Sequence, residues 1–182
     1  AALAVVLFLV TFFTTRERVL PLRNQKNIFS QDLKDLFTNK AWVLIAGATV
    51  FQLTFIVIRN SAMVYYFKYY TQDQVLTLFG FTKDLPFDTF TTTFMMLGTV
   101  FTILGALLTK TFTKILDKKN TYGGFMATSA VLTGLFFLVK PESVILIYIM
   151  QIFTSFFLGP VSVLQWAMYT DTADYGEWVK GR

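Results

Sequence analysis

Neither cysteine nor histidine occurs among the 182 residues. The absence of cysteine excludes disulfides and thiolate metal sites. The absence of histidine removes the usual metal ligand and the commonest general base. Paired carboxylates, which can also serve hydrolysis, do occur near the end of the chain, but no nucleophile motif or third catalytic group accompanies them. We therefore expect neither an enzyme nor a cofactor.

Charge is also scarce: 15% of the residues are charged, whereas 54% are hydrophobic and 18% aromatic. A water-soluble domain of this size could not cover so much apolar surface with so few polar side chains. We therefore predict an all-α, polytopic membrane protein whose helices contact the lipid bilayer. The net charge of +5 does not indicate nucleic-acid binding, because the cations lie between apolar runs and do not form one surface. We interpret them as signals of membrane orientation.

The first 40 residues divide into an apolar and a polar part. Residues 1–13 are apolar, but at ~1.5 Å per residue they are too short to cross a ~30 Å hydrocarbon core. We interpret them as the end of a truncated transmembrane helix. Residues 14–40 form a basic linker in which Ser30 could cap a short amphipathic helix with Leu33, Leu36 and Phe37 on one face. This helix is either a connector at the membrane interface or a regulatory latch.

Residues 41–182 contain four long apolar runs, which we predict as transmembrane helices. Their bounds are 41–58 with an aromatic extension to about residue 70, 89–109, 121–139 and 144–170. Segments 71–88 and 110–120 have loop composition, and residues from 171 onward begin a further loop. Glycines in the second span favour close helix contact. Gly159-Pro160 predicts a kink in the last span.

The distribution of lysine and arginine predicts the orientation of the spans. Segments 14–40, 110–120 and 171–182 hold six, four and two of these cations, whereas the opposite side of the membrane has three, Lys68, Lys83 and Lys140. The positive-inside rule therefore places segments 14–40, 110–120 and 171–182 in the cytoplasm.

A burst of charge follows the last apolar run. Asp171, Asp174 and Glu177 are spaced three residues apart, so on a continuing helix each is displaced by about 60° from the last and they form one stripe. Negative charge at a helix C-terminus opposes the macrodipole, so cationic partners are required. The candidates are Lys180, Arg182, Arg16, Arg18 and Lys110. The stripe is either a solvated helix end or an ion-pair network that opens and closes one mouth of a pathway.

Arg59 comes directly after the uncharged residues 41–58 of the first predicted span. If the helix runs on to about Tyr70, the guanidinium is deep in the membrane and should face a cavity, a carboxylate or backbone carbonyls. If the helix ends near Ile58, Arg59 extends to the interface instead. Tyr65 and Tyr66 pair with tyrosines four residues on, either as an aromatic belt or as rings that stack on a sugar.

Gln165 and Trp166 lie one turn before the acid stripe, within an otherwise apolar run. Such residues either bind a neighbouring helix or line the same route as the acids. Gln52 and Gln151 have comparable positions in other spans. Arg59, Tyr65, Tyr66, Gln165 and Trp166 are therefore our candidate pathway residues.

Several motifs together carry a resemblance to a known family. The sequence DTADYGEWVKGR, preceded by LQWAMY, resembles the signature of the glycoside–pentoside–hexuronide:cation symporters, the major-facilitator branch typified by the melibiose permease. NKAW, RNSAMVYYFKYY and ILDKKN are similar to further family patterns in the same order. The resemblance covers almost the whole chain, and D-x-x-D-Y-G-E-W is the specific motif.

The resemblance implies a partial major-facilitator fold, from about helix 6 to helix 10 of twelve, in a bacterial inner membrane. It implies cation-coupled symport of a sugar or glycoside with Na⁺ or H⁺, the ion being bound outside this stretch, in a missing N-terminal helical half. Asp171, Asp174, Tyr175, Glu177 and Arg182 then belong to a charged cytoplasmic gate. The alternatives are transport of a lipid or other amphiphile, and a membrane scaffold that transports nothing.

Overall fold

Two units make up the chain in the computed structural model, which describes residues 2–15, 29–78 and 80–180. The first unit, Ala1–Lys34, contains the apolar helix α1 at Ala2–Thr14. The second unit is Asp35–Arg182. Helix α2, Phe29–Thr38, contains the predicted amphipathic segment, with Ser30 inside the helix rather than at its cap. The predicted linker cations Arg16 and Arg18 lie outside the described residues.

Helix α3 begins at Lys40 and runs through Arg59 to Tyr65, where it continues as a π-helical segment over Tyr66–Thr71. Asn39 caps its first turn, because the Asn39 side chain accepts a hydrogen bond from the backbone N–H of Trp42. The prediction of a helix that extends to about residue 70 is confirmed. The alternative end near Ile58 is wrong, because the following turns are held by buried Met63 and Phe67.

The segment predicted as a loop after α3 contains a β-hairpin. Strands β1, Gln74–Leu78, and β2, Phe81–Leu85, pair antiparallel with Gln74 opposite Leu85. Gly80 has a φ of 84°, which glycine adopts without steric cost at the tight turn. The Asp73 carboxylate accepts a hydrogen bond from the Phe87 N–H at 2.9 Å and so ties the two ends of the hairpin together.

Helices α4, Phe87–Leu107, and α6, Val144–Lys180, pack closely through glycines. A Cβ atom at Gly105 would overlap the Phe156 carbonyl oxygen, and one at Gly159 would overlap the Thr102 carbonyl oxygen. The predicted close contact through Gly105 is confirmed. Pro160 lies inside α6, as predicted, and α6 continues to Lys180, so the expectation of a loop from residue 171 is wrong.

Helix α5, Thr109–Leu135, includes the segment 110–120 that was predicted as a loop. That prediction is wrong except at Asp117, where φ of 64° and ψ of 162° interrupt the helix. Apolar Phe112 and Leu116 alternate with lysines at helical spacing, and Phe112 packs on Phe125 with ring centroids 4.9 Å apart. The helix ends in a 3₁₀ turn, Phe136–Leu138.

Four helical stretches within the described residues are long and apolar enough to span a membrane: Lys40–Thr71, Phe87–Leu107, Thr109–Leu138 and Val144–Val179. Large apolar side chains point outward from them, among them Phe51 and Phe137. In a membrane these side chains would face lipid. A core near the hairpin contains Phe67, Phe90 and Phe94, and the Phe67 ring contacts both of the others. The predicted all-α, polytopic bundle is thus confirmed, with the hairpin as a local exception.

Candidate functional site

One face of α3 carries polar side chains into the bundle. Thr49, Gln52, Ile56 and Arg59 recur at intervals of three and four residues, which places them on one side of a helix. Gln52 and Arg59 are 2% and 7% exposed, although the rest of this stretch of α3 is largely apolar. Buried polar side chains in a membrane span need hydrogen-bond partners. Here the side chains that line two cavities beside α6 provide such partners.

The first cavity has a volume of about 470 Å³ and lies between α3, α4 and α6. Arg59 Nη2 donates a hydrogen bond to Gln151 Oε1 at 2.5 Å. Gln151 Nε2 in turn donates to the Phe94 carbonyl oxygen at 3.2 Å. Because the Phe94 carbonyl can only accept, it faces the NH₂ end of the amide and so fixes the amide oxygen towards Arg59. Arg59 is therefore held in place by a neutral residue.

Gly98 makes room for the Gln151 amide. A Cβ atom at Gly98 would overlap Gln151 Nε2 and would lie 3.0 Å from Ser155 Oγ. A glycine at this position thus allows the Gln151 side chain to lie against the backbone of α4 and reach both Phe94 and Arg59.

The second cavity, of about 370 Å³, is lined by Thr49, Gln52, Gln165, Trp166 and Tyr169 among others. Gln165 Nε2 and the Tyr169 hydroxyl both donate to Thr49 Oγ1, each at 2.9 Å. Thr49 itself donates to the Ile45 carbonyl oxygen, so its hydroxyl group is fully oriented. Trp166 is 72% exposed and presents an indole ring at the edge of this cavity.

One hydrogen bond and two shared wall residues join the second cavity to its surroundings. The Tyr122 hydroxyl on α5 donates to Gln52 Oε1 at 2.7 Å and so links α5 to α3. Ile56 and Ser162 belong to the walls of both cavities. The polar side chains from Thr49 to Arg59 therefore follow one continuous face between α3 and α6.

The acid stripe lies on the last turns of α6. Lys118 Nζ contacts the two carboxylate oxygens of Asp171 at 2.6 and 2.9 Å, and each side chain is 51% exposed. Among the described residues the partner of Asp171 is Lys118 on α5, and not the expected candidate Lys110. Asp174 and Glu177 are exposed and have no ion-pair partner among the described residues.

Part of the predicted gate is not described. Arg182 lies outside the described residues, and so does the side chain of Lys180. The Tyr175 ring is half exposed and contacts Trp178, with centroids 6.2 Å apart.

Asn39 connects the start of α3 to the end of α6. Its Nδ2 donates to the Thr172 carbonyl oxygen at 2.9 Å, while its Oδ1 accepts from the Trp42 N–H at 3.2 Å. A Cβ atom at Gly176 would lie 2.9 Å from Asn39 Nδ2, so the Asn39 side chain lies close against the backbone of α6 here. The NKAW and DTADYGEW segments therefore meet at one side chain.

Tyr65 and Tyr66 do not line the cavity that contains Arg59. Tyr65 stacks on Tyr69 with centroids 6.3 Å apart and planes 5° apart. Tyr66 contacts Tyr70 and Phe136 at the edge of the aromatic core. The structure brings together Gln165 and Trp166, which share the second cavity, and it places Arg59 in the next one.

Sequence reasoning missed Thr49, Tyr122, Lys118 and Asn39 as site residues. A signal existed for Thr49, which is three residues before Gln52 and seven before Ile56, and so falls on the same helix face. The other contacts join side chains at least 53 positions apart in sequence, so helix periodicity alone gave no signal for them.

Known proteins with similar sequences are named as membrane transporters. The family described as MFS/sugar transport protein matches residues 1–182, the full length of the chain. The chain belongs to this family. The match is consistent with the resemblance to cation symporters found in its motifs, and it is a match to transporters rather than to enzymes.

Two relatives of the chain carry informative names. The chain is 30% identical to the inner membrane symporter YicJ of Escherichia coli (strain K12), with 100% of this chain and 37% of the relative covered. It is 28% identical to an isoprimeverose transporter of Lactiplantibacillus pentosus, with 100% and 35% covered. The chain thus spans just over a third of the length of these curated relatives. No solved structure matches it.

Together, the family match and the four apolar helices make the chain part of an integral, multi-pass protein of the bacterial inner membrane.

Proposed function

We propose that the protein moves a sugar or glycoside across the membrane by alternating access, in symport with Na⁺ or H⁺. The observation that carries this proposal is the buried polar face between α3 and α6, which joins two cavities and leads towards the Lys118–Asp171 pair. Buried polar groups in membrane spans mark substrate pathways, because lipid gives them no hydrogen-bond partners.

The second cavity suits a sugar in its chemistry. The amides of Gln52 and Gln165 and the hydroxyl of Tyr169 offer donors and acceptors to hydroxyl groups, while Thr49 orients Gln165 and Tyr169. A few oriented polar groups in a mainly apolar pocket are typical of small-molecule sites. The Trp166 ring supplies a flat apolar surface at the edge of the cavity. The apolar face of a pyranose ring can stack on such a surface.

We assign the cytoplasmic gate to the end of α6. The Lys118–Asp171 pair is half exposed, and such pairs contribute only about 0–1 kcal/mol, so it can break and re-form during transport. Asp174, Tyr175, Glu177 and Arg182 would belong to the same gate, as would Asn39, which ties α3 to the backbone of α6. The coupling ion would bind in a further helical half of the protein.

A second candidate function is transport of a lipid or another amphiphile. A third cavity, of about 420 Å³, lies beside α3 and shares Arg59 and Met63 with the first cavity. Its other walls are mainly apolar side chains such as Phe51, Phe55 and Ile58. Such a cavity would accept an acyl chain more readily than a sugar.

Counterflow with the purified full-length protein in proteoliposomes separates these functions. Labelled sugars and glycosides are tested against labelled lysolipids, with a Na⁺ gradient or a pH gradient imposed. We expect glycoside exchange in counterflow, and uptake that rises with one of the two cation gradients. Exchange of lysolipid but not glycoside would assign the second function. Exchange of neither would favour a membrane scaffold without transport.

A further inference from the structure

Arg59 is a buried cation within α3, and the described residues provide no anion for it. Its side chain is 7% exposed, and it forms no ion pair with any Asp or Glu in residues 2–15, 29–78 and 80–180. It lies roughly 29 Å from the Lys40 end and roughly 18 Å from the Thr71 end of its helical stretch, at ~1.5 Å per residue. The charge is therefore inside the membrane span, where lipid cannot solvate it.

The sequence contains no acid at a comparable depth. None of its 11 Asp and Glu residues lies in the apolar runs 41–58, 89–109, 121–139 and 144–170. Among the described residues, no carboxylate lines the cavity that contains Arg59. A charge that is removed from water without a partner is strongly destabilising, so a group outside these 182 residues has to balance it.

The unpaired donors of Arg59 have the geometry of a carboxylate site. Nη2 donates to Gln151 Oε1, whereas the buried Nε has no acceptor among the described residues. A guanidinium offers parallel N–H groups along an edge, and a carboxylate accepts two of them at once. The Gln151 amide is neutral and is fixed by the Phe94 carbonyl, so it orients the guanidinium without balancing its charge.

The permanence of the charge favours an anion that belongs to the protein. An arginine side chain keeps its charge, whereas a transported solute occupies its site for only part of the transport cycle. If the solute supplied the anion, Arg59 would be unpaired in every empty state, and each such state would be destabilised. A carboxylate of the protein balances the charge in the empty states as well. The chain spans just over a third of the length of its curated relatives, and this acid would lie in the remainder.

We propose that Arg59 forms a buried ion pair with one aspartate or glutamate of the full-length protein, in a membrane span outside residues 1–182. The carboxylate would enter the cavity of about 470 Å³ between α3, α4 and α6 and would accept from Nε and a neighbouring N–H. Gln151 is then a positioning residue, and the ion pair joins α3 to a helix outside the described bundle. The inference goes beyond the proposed function, since it holds whichever solute the protein moves.

The test compares the reactivity of carboxyl groups in the purified full-length protein and in its Arg59→Gln variant, with no sugar added. The probe is dicyclohexylcarbodiimide, an apolar reagent that modifies protonated carboxyl groups, and mass spectrometry of the peptides locates the label. Without Arg59 the buried carboxylate has no partner, and burial favours its protonated form. We expect one Asp or Glu outside residues 1–182 to gain about tenfold in label, because it would be protonated far more often.

Arg59→Lys and Lys119→Gln are the matched controls. Arg59→Lys keeps a cation in the cavity, so the acid should stay mostly ionised and gain less than about a third of the label seen in Arg59→Gln. Lys119→Gln removes an exposed cation and should leave the labelling unchanged.

A second set of variants decides the question if Arg59→Gln does not fold. In the Arg59→Gln background, each membrane-span Asp or Glu outside residues 1–182 is replaced in turn by Asn or Gln. One such substitution should recover folded protein, since replacing both members of a buried ion pair by neutral groups costs far less than removing one of them.

Four results would overturn the inference. Identical labelling of the unmodified protein and Arg59→Gln would mean that no carboxylate of the protein depends on Arg59. A gain of label at an acid within residues 1–182, or an equal gain in Arg59→Lys, would contradict the location of the acid or the role of charge. If Arg59→Gln does not fold, failure of every second substitution would have the same meaning. Glycoside counterflow by the unmodified protein is measured separately, so its absence would contradict the proposed function and leave the ion pair to be judged by the labelling.

Discussion

At the scale of single residues, the contact between Lys118 and Asp171 is a site where an effect on transport can be distinguished from an effect on stability. Both side chains are 51% exposed, although the oxygen–nitrogen distance is 2.6 Å. Exposed ion pairs contribute about 0–1 kcal/mol to folding, since water and salt screen the charges. A large loss of transport on removing this pair would therefore reflect a gate and not an unfolded protein.

We predict that Asp171→Asn and Lys118→Gln each reduce uptake at least tenfold in the full-length protein, while its unfolding free energy changes by less than about 1 kcal/mol. Lys119→Gln is the matched control, because Lys119 is exposed and has no ion-pair partner among the described residues. Initial rates of uptake and thermal unfolding in detergent measure the two quantities. Normal uptake in both variants would rule out this pair as the gate.

The double variant Lys118→Asp with Asp171→Lys tests whether the two charges act on each other. If they do, reversing both should recover part of the activity that either reversal alone removes, as double-mutant cycles show for coupled residues. Additive losses would mean that each charge acts through a different partner.

Asn39 allows two roles of one side chain to be tested separately. Asn39→Ser keeps an oxygen that can cap α3 but is too short to reach Thr172, whereas Asn39→Ala loses both contacts. We expect Asn39→Ala to cost about 1–2 kcal/mol and Asn39→Ser about half of that, since a cap and a hydrogen bond are each worth about 1 kcal/mol. Equal losses of stability in the two variants would show that the contact with Thr172 accounts for the whole effect and that the cap contributes nothing.

The same residues mark the limit of prediction from sequence at this scale. A charge in a long apolar run identified Arg59 as a residue in need of a partner, because burial in a membrane span demands one. It could not identify Gln151, which lies 92 positions away on α6. Similarly, the dipole argument required a cation for Asp171, but only the fold brings Lys118 to it.

At the scale of helices, the contact between α4 and α6 depends on residues without side chains. Gly105 faces the Phe156 carbonyl and Gly159 faces the Thr102 carbonyl, and neither backbone can move without displacing its helix. By contrast, a Cβ atom at Gly123 on α5 would meet nothing within 4 Å.

We predict that Gly105→Ala destabilises the full-length protein by about 1–3 kcal/mol, the usual cost of overpacking. Gly123→Ala should be neutral or stabilise by up to about 1 kcal/mol, since alanine is the better helix former. Thermal unfolding of both proteins in the same detergent provides the comparison. Equal shifts in the two would contradict close packing of α4 on α6.

Elements with a strong hydrophobic signal were predictable, whereas those with a mixed signal were not. The four spans followed from long apolar runs, which only helices can present to lipid. The hairpin at 74–85 was missed because Gly80, Pro86 and the acids around it are equally typical of an irregular loop. The helix over segment 110–120 was not predicted, because its four lysines are typical of a loop. They lie among apolar residues at helical spacing, and Phe112 packs against Phe125.

At the scale of the whole molecule, the fold class could be predicted from the composition of the sequence, and the family could be predicted from a specific motif. The substrate and the ion were not, since the chain spans just over a third of the length of its relatives. The relative placement of the charges does carry information about orientation. Lys118 and Asp171 lie at the ends of α5 and α6 that are predicted to be cytoplasmic, and the hairpin lies at the opposite end of α3 and α4.

The absence of cysteine from these 182 residues makes this orientation directly testable. Single cysteines at Lys119 and at Lys83 would be placed in a full-length protein from which any other cysteine has been removed. Both sites are exposed, and by the positive-inside rule Lys119 should be cytoplasmic and Lys83 external. An impermeant maleimide should therefore label Lys83→Cys in intact cells and Lys119→Cys only in inverted vesicles. The reverse pattern would place the Lys118–Asp171 pair at the outer mouth, and a gate there would close the pathway from the external side.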